Sequence, residues 1–299
     1  MTIAVVIISK DEPGLRETLC DIVSAPPFAP TEVVVVDASS GRLGAIERDF
    51  PEVRWVDHIP ETRFSIAAQR NSGLSFTSDA DVVVFTDAGC RVEPNWLEEL
   101  VSPIVAGEEQ VTAGLTKGTG PWSGLYEPSG NDQAAYLCEA PTINLALSRR
   151  VIDEVGKFDE CFEYGSDIDY TWRIAARSIP IRFVPSAVVT HDWGNRQRQM
   201  RRSYRYGKAR ARLHRKHTRS VAELVRKDPV LVAYPLFLLG LPVTFWLPPY
   251  PLLLLVPAWR ARHAQPGVVL IDHLLYGAGA LAEAWRWTRP KLAVSDATA

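Results

Sequence analysis

Cysteine is scarce in this chain. Four of its 299 residues are cysteine (Cys20, Cys90, Cys138 and Cys161), scattered and without a C-x-x-C spacing, which argues against both a zinc site and a disulfide framework and fits a reducing compartment. An excess of charge of either sign is also lacking: 33 Lys and Arg stand against 35 Asp and Glu, so the overall balance names no partner. A leader is not evident. Ile3 to Ile8 is too short an apolar run for a signal peptide and leads straight into Lys10 and Asp11, so the front of the protein is expected to stay in the cytoplasm. Regular periodicity is missing from Thr116 to Ala140, where Gly118, Gly120, Pro121, Gly124, Pro128 and Gly130 interrupt any element. So long an aperiodic stretch in a compact domain is usually functional or mobile, and it reads as an acceptor-side loop. Charged residues are missing altogether from Pro229 to Trp259.

What the chain does have is a recurring unit. Ile3 to Ile8, Val33 to Val36 and Val82 to Phe85 are apolar, mostly β-branched runs, as expected for strands buried on both faces. They end in Ser9-Lys10-Asp11, Asp37-Ala38-Ser39-Ser40-Gly41 and Thr86-Asp87-Ala88-Gly89, which sets polar groups at the carboxyl edge of a sheet, where α/β proteins bind ligands. Val53 to Val56 is a further short strand. Helices are expected from about Gly14 to Val23, from Phe64 to Phe76 carrying Arg70 and Asn71, and from Trp96 to Val105, whose Trp96, Leu97, Leu100, Val101 and Ile104 form a helical stripe. Strand and helix alternating in this way predict an α/β fold with a doubly wound, mostly parallel sheet.

Order returns at Ile143 to Leu147, followed by a helix around Val151 to Val155. Gly165-Ser166-Asp167-Ile168-Asp169 then opens a helix running to about Arg177, with acids in the first turn where the helix dipole favours their ionised form. Residues at i and i+2 do not share a helix face. Asp167 and Asp169 therefore have different jobs, one facing a cleft and one capping or pairing, and Arg173 pairs with an acid inside the fold. Arg182 to Val189 is a late strand delivering His191 and Asp192. Taken singly, Asp37 and Asp87 read equally as turn formers and His191 as a structural histidine.

In their order and spacing these strings resemble family 2 glycosyltransferases of the GT-A fold, inverting enzymes that use nucleotide-diphosphate sugars. The resemblance covers roughly residues 3 to 210. It is carried by the opening strand to Ser9, Val36-Asp37-Ala38-Ser39-Ser40, Gln69-Arg70-Asn71-Ser72-Gly73, Thr86-Asp87-Ala88-Gly89, Gly156-Lys157-Phe158-Asp159-Glu160, Gly165 to Asp169 with Arg173, and His191. It implies that Ser9, Asp11 and Asp37 surround the base and ribose, with Asp37 accepting from a base N–H, and that Arg70 lies beside the nucleotide. Asp87 matches the first acid of the family's D-x-D motif and contacts the nucleotide sugar and a metal that His191 helps to hold. Mg²⁺ or Mn²⁺ is the implied cofactor. Asp167 matches the catalytic base, which takes a proton from the acceptor hydroxyl. Two positions depart from the family pattern: Gly89 stands at the third place of D-x-D, and Ser166 stands before Asp167 where Glu is common.

The remainder of the chain changes character. Between Arg196 and Arg219 lie Arg198, Arg201, Arg202, Arg205, Lys208, Arg210, Arg212, Arg215 and Lys216, interleaved with Tyr204 and Tyr206. Such a run suits a solvated helix face or nucleic acid, but the charge-free segment after it selects a membrane surface instead, and no nucleic-acid partner is expected. About 30 apolar residues split into two passes give roughly 22 Å of helix each, short of a hydrocarbon core near 30 Å. With Arg226 and Lys227 before it and Arg260 and Arg262 after it, the segment is expected to be a re-entrant or interfacial hairpin with both ends in the cytoplasm. A single crossing from Pro229 to Leu247 is the competitor. Val268 to Trp287 reads as an amphipathic surface helix.

The expected organisation is therefore a GT-A catalytic domain (1–195), a basic helical linker (196–228) and a membrane-associated hairpin with an amphipathic helix (229–299). The expected activity is transfer of a sugar, of hexosyltransferase type, to a lipid-linked acceptor such as a polyprenyl-linked saccharide, at the cytoplasmic face of the cell membrane during cell-envelope polysaccharide synthesis. Asp169, Arg202 and Arg205 are candidate contacts to the acceptor or its phosphates. A non-catalytic GT-A-like scaffold subunit anchored to the membrane is the alternative, and a nucleotidyltransferase with a related sheet is a third reading.

Overall fold

The computed structural model describes residues 1–23, 28–59, 65–120, 134–218, 220–260 and 265–288. The chain divides into two compact units, Met1–Asn195 and Arg196–Ala299. In chain order the first contains β1 (Ile3–Ser9), α1 (Leu15–Val23), β2 (Glu32–Asp37), α2 (Gly44–Asp49), β3 (Arg54–Asp57), α3 (Ile66–Phe76), β4 (Val82–Asp87), β5 (Cys90–Val92), α4 (Trp96–Val105), β6 (Val111–Thr119), β7 (Tyr136–Leu137), β8 (Leu145–Ser148), α5 (Arg149–Val155), α6 (Ser166–Ala175) and β9 (Ile181–Asp192).

The described strands form one sheet in the order β3-β2-β1-β4-β8-β6-β9-β5, with β7 paired to β9. Its first half, β3-β2-β1-β4, is wholly parallel. The second half is mixed: β8 runs antiparallel to both β4 and β6, and β5 antiparallel to β9. The sheet is thus less parallel than the apolar runs predict. Register carries the functional consequence. Ser9 of β1 lies opposite Asp37 of β2, and Ile8 lies opposite Asp87 of β4, so both acids leave the sheet at one edge on either side of β1.

Period-two alternation gives the sheet two apolar faces. Val5, Ile7, Val33, Val35, Val82 and Val84 pack on one side with Leu15, Leu19, Ile46, Leu97 and Leu100 of α1, α2 and α4. Ala4, Val6, Val83 and Phe85 pack on the other with Ala67, Leu74, Val151, Tyr170 and Ile174 of α3, α5 and α6. Each fully buried aliphatic side chain contributes about 1.5–3 kcal/mol to this core.

The aperiodic stretch is only partly a loop. Thr116 to Thr119 complete β6, which runs beside β9 from Thr112 to Thr119 with a bulge after Gly114. A β-carbon at Gly114 would come within 2.2 Å of the Ala187 carbonyl, so glycine here permits close strand packing. Residues 121–133 of that expected loop, and Phe64 of the helix expected from Phe64 to Phe76, lie outside the described residues.

The second unit contains α7 (Arg196–His217), α8 (Val221–Lys227), α9 (Pro229–Leu239), two short 3-10 turns (Leu241–Phe245 and Tyr250–Leu254), α10 (Leu255–Arg260) and α11 (Pro266–Thr288). The Asp228 side chain caps α9 by accepting from the Leu231 N–H, and Pro229 occupies the first helical position. With 11 residues, α9 is about 16 Å long, and the turns that follow break the chain. No single crossing runs from Pro229 to Leu247.

α11 packs against α7 and α9. Two of its acids are turned to α7, where Asp272 accepts from Ser203 and Glu283 accepts from Arg212 at 2.8 Å, and His273 meets the Tyr234 hydroxyl of α9. The helix from Val268 to Trp287 therefore exists, but Asp272 and Glu283 serve a helix partner and do not form the wet face of a surface helix. Among the described residues α11 is the one helix long and apolar enough to cross a membrane, with 22% of its apolar window buried.

Candidate active site

The carboxyl edge of β1, β2 and β4 is built from short hydrogen-bond chains. At the end of β2, Asp37 is buried, and its carboxylate accepts from the Ser39 hydroxyl (2.6 Å) and the Ser39 N–H (3.2 Å). The same hydroxyl accepts from the Asp11 N–H at 2.7 Å, which ties the loop after β1 to the loop after β2. Asp11 adopts a left-handed φ of 54°, a conformation Asp tolerates better than most residues, and its carboxylate pairs with Arg42 at 2.6 Å. The Arg42 hydrogen bond holds the Asp11 carboxyl below its ordinary range, against the opposing effect of desolvation. Ser9 is buried beside them with an unpartnered hydroxyl.

Helix α3 supplies three adjacent side chains that reach three different places. Gln69 donates to the carbonyls of Ser9 (2.9 Å) and Val36 (3.1 Å), stapling β1 to β2. Asn71 grips Phe158 from both sides, donating to its carbonyl at 3.0 Å and accepting from its N–H at 2.8 Å. Between them Arg70 is 5% exposed. Its Nη1 donates to Ser166 Oγ at 3.0 Å, and its Nη2 stands 4.0 Å from Asp87 Oδ1.

Ser166 and Asp167 open α6 behind Gly165, whose φ of 79° places it in the left-handed region. Asp167 is close enough for its charge to act on Asp87. Desolvation pushes the Asp87 carboxyl above its usual range, Arg70 pulls it back, and Asp167 adds to the rise. Asp87 and Ser166 thus meet on Arg70, Asp167 follows Ser166 in the first turn of α6, and Ser9 and Asp11 at the end of β1 and Asp37 beyond it continue the same sheet edge.

Residues 4–158 match the family described as Glycosyl transferase family 2. The chain belongs to that family. Relatives include the pre-mycofactocin glycosyltransferase of Mycobacterium tuberculosis (strain CDC 1551 / Oshkosh), 30% identical over 198 residues that cover 61% of this chain and 42% of that protein. The glycosyltransferase AglE of Haloferax volcanii is 27% identical over 196 residues, covering 61% of this chain and 63% of that one. The chain thus spans less than two thirds of either relative. Among solved structures, a mannosyltransferase from Pyrobaculum calidifontis in complex with GDP-Man and Mn²⁺ superposes with a TM-score of 0.68 at 18% identity, covering 95% of this chain and 87% of that one. GalNAc-T7 with UDP, GalNAc and Mn²⁺ gives 0.53 at 15% identity, covering 77% of this chain and 56% of that one. These two are likenesses of fold.

Both neighbours hold Mn²⁺, and in this family 2 chain the D-x-D position at the end of β4 is where acids would meet such a cation. Gly89 has a φ of 84°, and a β-carbon there would meet the Cγ and Cδ of Glu12 at 3.2 Å. The Glu12 side chain, leaning from the loop after β1 and accepting from the Gly14 N–H at 3.2 Å, occupies the space a side chain at 89 would need. Asp87 faces a guanidinium. The Nδ1 of His191 lies 3.5 Å from the buried thiol of Cys90, and its ring stands edge-on to Trp193. Among the described residues no three His, Cys, Asp or Glu side chains gather as a metal site. This residue set does not build a protein cage for a divalent cation.

Asp169 differs from expectation. It is fully buried, and its carboxylate accepts from Arg173 Nε at 3.0 Å, so it serves the internal pair and is not an acceptor contact. Arg202 and Arg205 lie on α7 of the second unit. Sequence reading gave no separate role to Ser39, Gln69 or Glu12. Gln69 adjoins Arg70, Glu12 adjoins Asp11 and Ser39 lies two residues past Asp37, and a polar side chain beside a singled-out residue was the available signal.

Proposed function

We propose that this family 2 member is an inverting glycosyltransferase that moves a sugar from a nucleotide-diphosphate donor to an acceptor hydroxyl. The observation that carries the reading is a buried arginine at the carboxyl edge of the parallel half-sheet that joins Asp87 of β4 to Ser166, the residue before Asp167 in the first turn of α6. Ser9, Asp11 and Asp37 take the nucleoside, and Asp37 accepts from a base N–H. Arg70 meets the diphosphate, where its planar fork matches anionic oxygens. Asp87 faces the transferred sugar. Asp167 accepts the proton of the acceptor hydroxyl as that oxygen bonds to the anomeric carbon. The bond from that carbon to the diphosphate oxygen breaks on the opposite side, its electron pair leaves with the nucleoside diphosphate, and the configuration inverts. Charge growing on the leaving group lies beside Arg70, a preorganised cation in a site of low polarity. Mg²⁺ or Mn²⁺, when present, would arrive with the diphosphate and offset part of that charge. The protein's share would be Asp87, with His191 at the end of β9 as the second candidate ligand, and no step above depends on it.

The acceptor we propose is lipid-linked, a polyprenyl-phosphate or polyprenyl-diphosphate saccharide of the cell envelope, met at the cytoplasmic face of the membrane. Support comes from the charge-free segment of the second unit, where Phe245 is 88% and Trp246 is 82% exposed. Arg226, Lys227 and Arg260 flank that segment, and cations and indole rings in this arrangement suit an interface with anionic headgroups. Arg202 and Arg205 remain candidates for the acceptor's phosphates.

The test is a donor screen reading nucleoside diphosphate release with and without EDTA. Release from one class of nucleotide sugar, coupled to glycosylation of a polyprenyl acceptor, is the expected result. Pyrophosphate release would instead indicate a nucleotidyltransferase. Donor binding without turnover would favour the scaffold reading, to which Gly89 and Ser166 lend weight.

A further inference from the structure

The last turns of α11 set two unlike surfaces back to back. Glu283 is 2% exposed, and its carboxylate accepts from Arg212 of α7 at 2.8 Å and from the Trp287 indole at 3.3 Å, while Arg286 stands 3.5 Å from it. The Arg215 guanidinium of α7 lies over the Trp287 ring, 4.4 Å from its centre. Three arginines thus gather about one glutamate, and this end of the helix pair carries an excess of positive charge.

Residues two apart do not share a helix face, so Leu281 and Trp285 do not point to α7 with Glu283. Together with Ala282, Ala284 and Leu239, the last residue of α9, they line an apolar groove of about 430 Å³. The small alanine side chains keep it open, and Trp285 and Leu239 are 63% and 65% exposed. A volume of this size is that of a small-ligand pocket, and its lining holds no ionisable group.

The surroundings say what the groove would take. Arg286 follows Ala282 by four residues and shares its flank of the helix, which sets a cation one turn from the lining. Leu239 leads directly into the charge-free segment whose Phe245 and Trp246 are exposed, so the groove adjoins a surface suited to lipid. A hydrocarbon chain bearing a phosphate matches both features. Five side chains line room for one chain, whereas a phospholipid brings two.

We propose that this groove holds the hydrocarbon chain of a single-chain phosphate lipid, a polyprenyl phosphate, and that Arg286, backed by the arginines around Glu283, meets its phosphate. The proposal rests on the lipid-linked acceptor reading above and adds to it the place where the second unit holds that acceptor.

The experiment is calorimetric titration of the full chain with farnesyl phosphate, farnesol and dihexanoyl phosphatidic acid, each kept below the concentration at which it forms micelles. The wild type should prefer farnesyl phosphate to the other two. Ala284→Trp, which fills the groove, is expected to weaken farnesyl phosphate and farnesol alike by about tenfold or more. Arg286→Gln is expected to weaken farnesyl phosphate about tenfold and to leave farnesol within about twofold. Both variants should bind nucleoside diphosphate as the wild type does. If Ala284→Trp melts early, Leu239→Trp, at an exposed position of the other helix, must show the same loss. Unchanged farnesyl phosphate binding in the tryptophan variants would overturn the proposal. So would phosphatidic acid that binds as tightly as farnesyl phosphate, which assigns the groove to ordinary phospholipid. A wild-type chain that binds none of the three lipids would bring down the lipid-linked acceptor reading itself, a result distinct from either.

Discussion

Gly89 shows how one missing side chain redistributes a site. With Glu12 leaning into the space beside it, the strand end keeps one D-x-D acid, Asp87, and that acid faces Arg70. A cation would then depend on the ligand's own oxygens. Mn²⁺ titrated into the chain without nucleotide is therefore expected to give no measurable binding by calorimetry, with binding emerging once a nucleoside diphosphate is present. A tight site in the free protein would contradict this. The strand-end acids Asp37 and Asp87 were legible in the sequence because a buried β-branched run has only one end at which to expose a carboxylate. The partition of Asp167 and Asp169 was legible from helical spacing, and so was the internal role of Arg173. The burial of Asp169 was not, since periodicity separates two faces of a helix without saying which one meets the core. Nor was the Glu12–Gly89 approach, which joins loops distant in sequence.

At the scale of elements, the parallel half of the sheet announces itself through uninterrupted valine and isoleucine. β6 does not: Val111–Thr119 mixes two glycines, three threonines and a lysine, and only pairing with β8 and β9 makes it a strand. The α7–α11 contact was hidden for a similar reason. Basic and apolar composition suggested a linker and a surface helix, whereas Gly207 and Gly279 bring the two backbones together. A β-carbon at Gly207 would fall 1.9 Å from the Tyr276 carbonyl, and one at Gly279 would fall 2.0 Å from the Tyr204 carbonyl. Gly207→Ala must push α7 and α11 apart. It is expected to destabilise the second unit by about 1–3 kcal/mol, the usual cost of overpacking, despite alanine's better helix propensity. Chemical denaturation followed by tryptophan fluorescence measures this, and a midpoint at or above wild type would contradict it.

At the scale of the whole molecule, a family 2 unit of GT-A type is followed by a helical unit with an exposed apolar segment. Charge vanishes abruptly after Asp228, inside the second unit, which makes the apolar segment legible in the sequence, whereas the division after Asn195 coincides with the start of the basic run. If the segment docks on a membrane, the paired replacement Phe245→Ser and Trp246→Ser should release the protein from anionic vesicles in a flotation assay while leaving nucleotide binding unchanged. Equal flotation of variant and wild type would place the docking elsewhere. The claim on which the rest depends is that Asp167 removes the acceptor's proton at the edge where Arg70 holds the leaving diphosphate. Single-turnover nucleoside diphosphate release by Asp167→Asn, with donor and acceptor saturating, tests it most directly. The expected result is a rate lower by about 10²–10⁴-fold with donor affinity preserved, and a variant that turns over at the wild-type rate would contradict it.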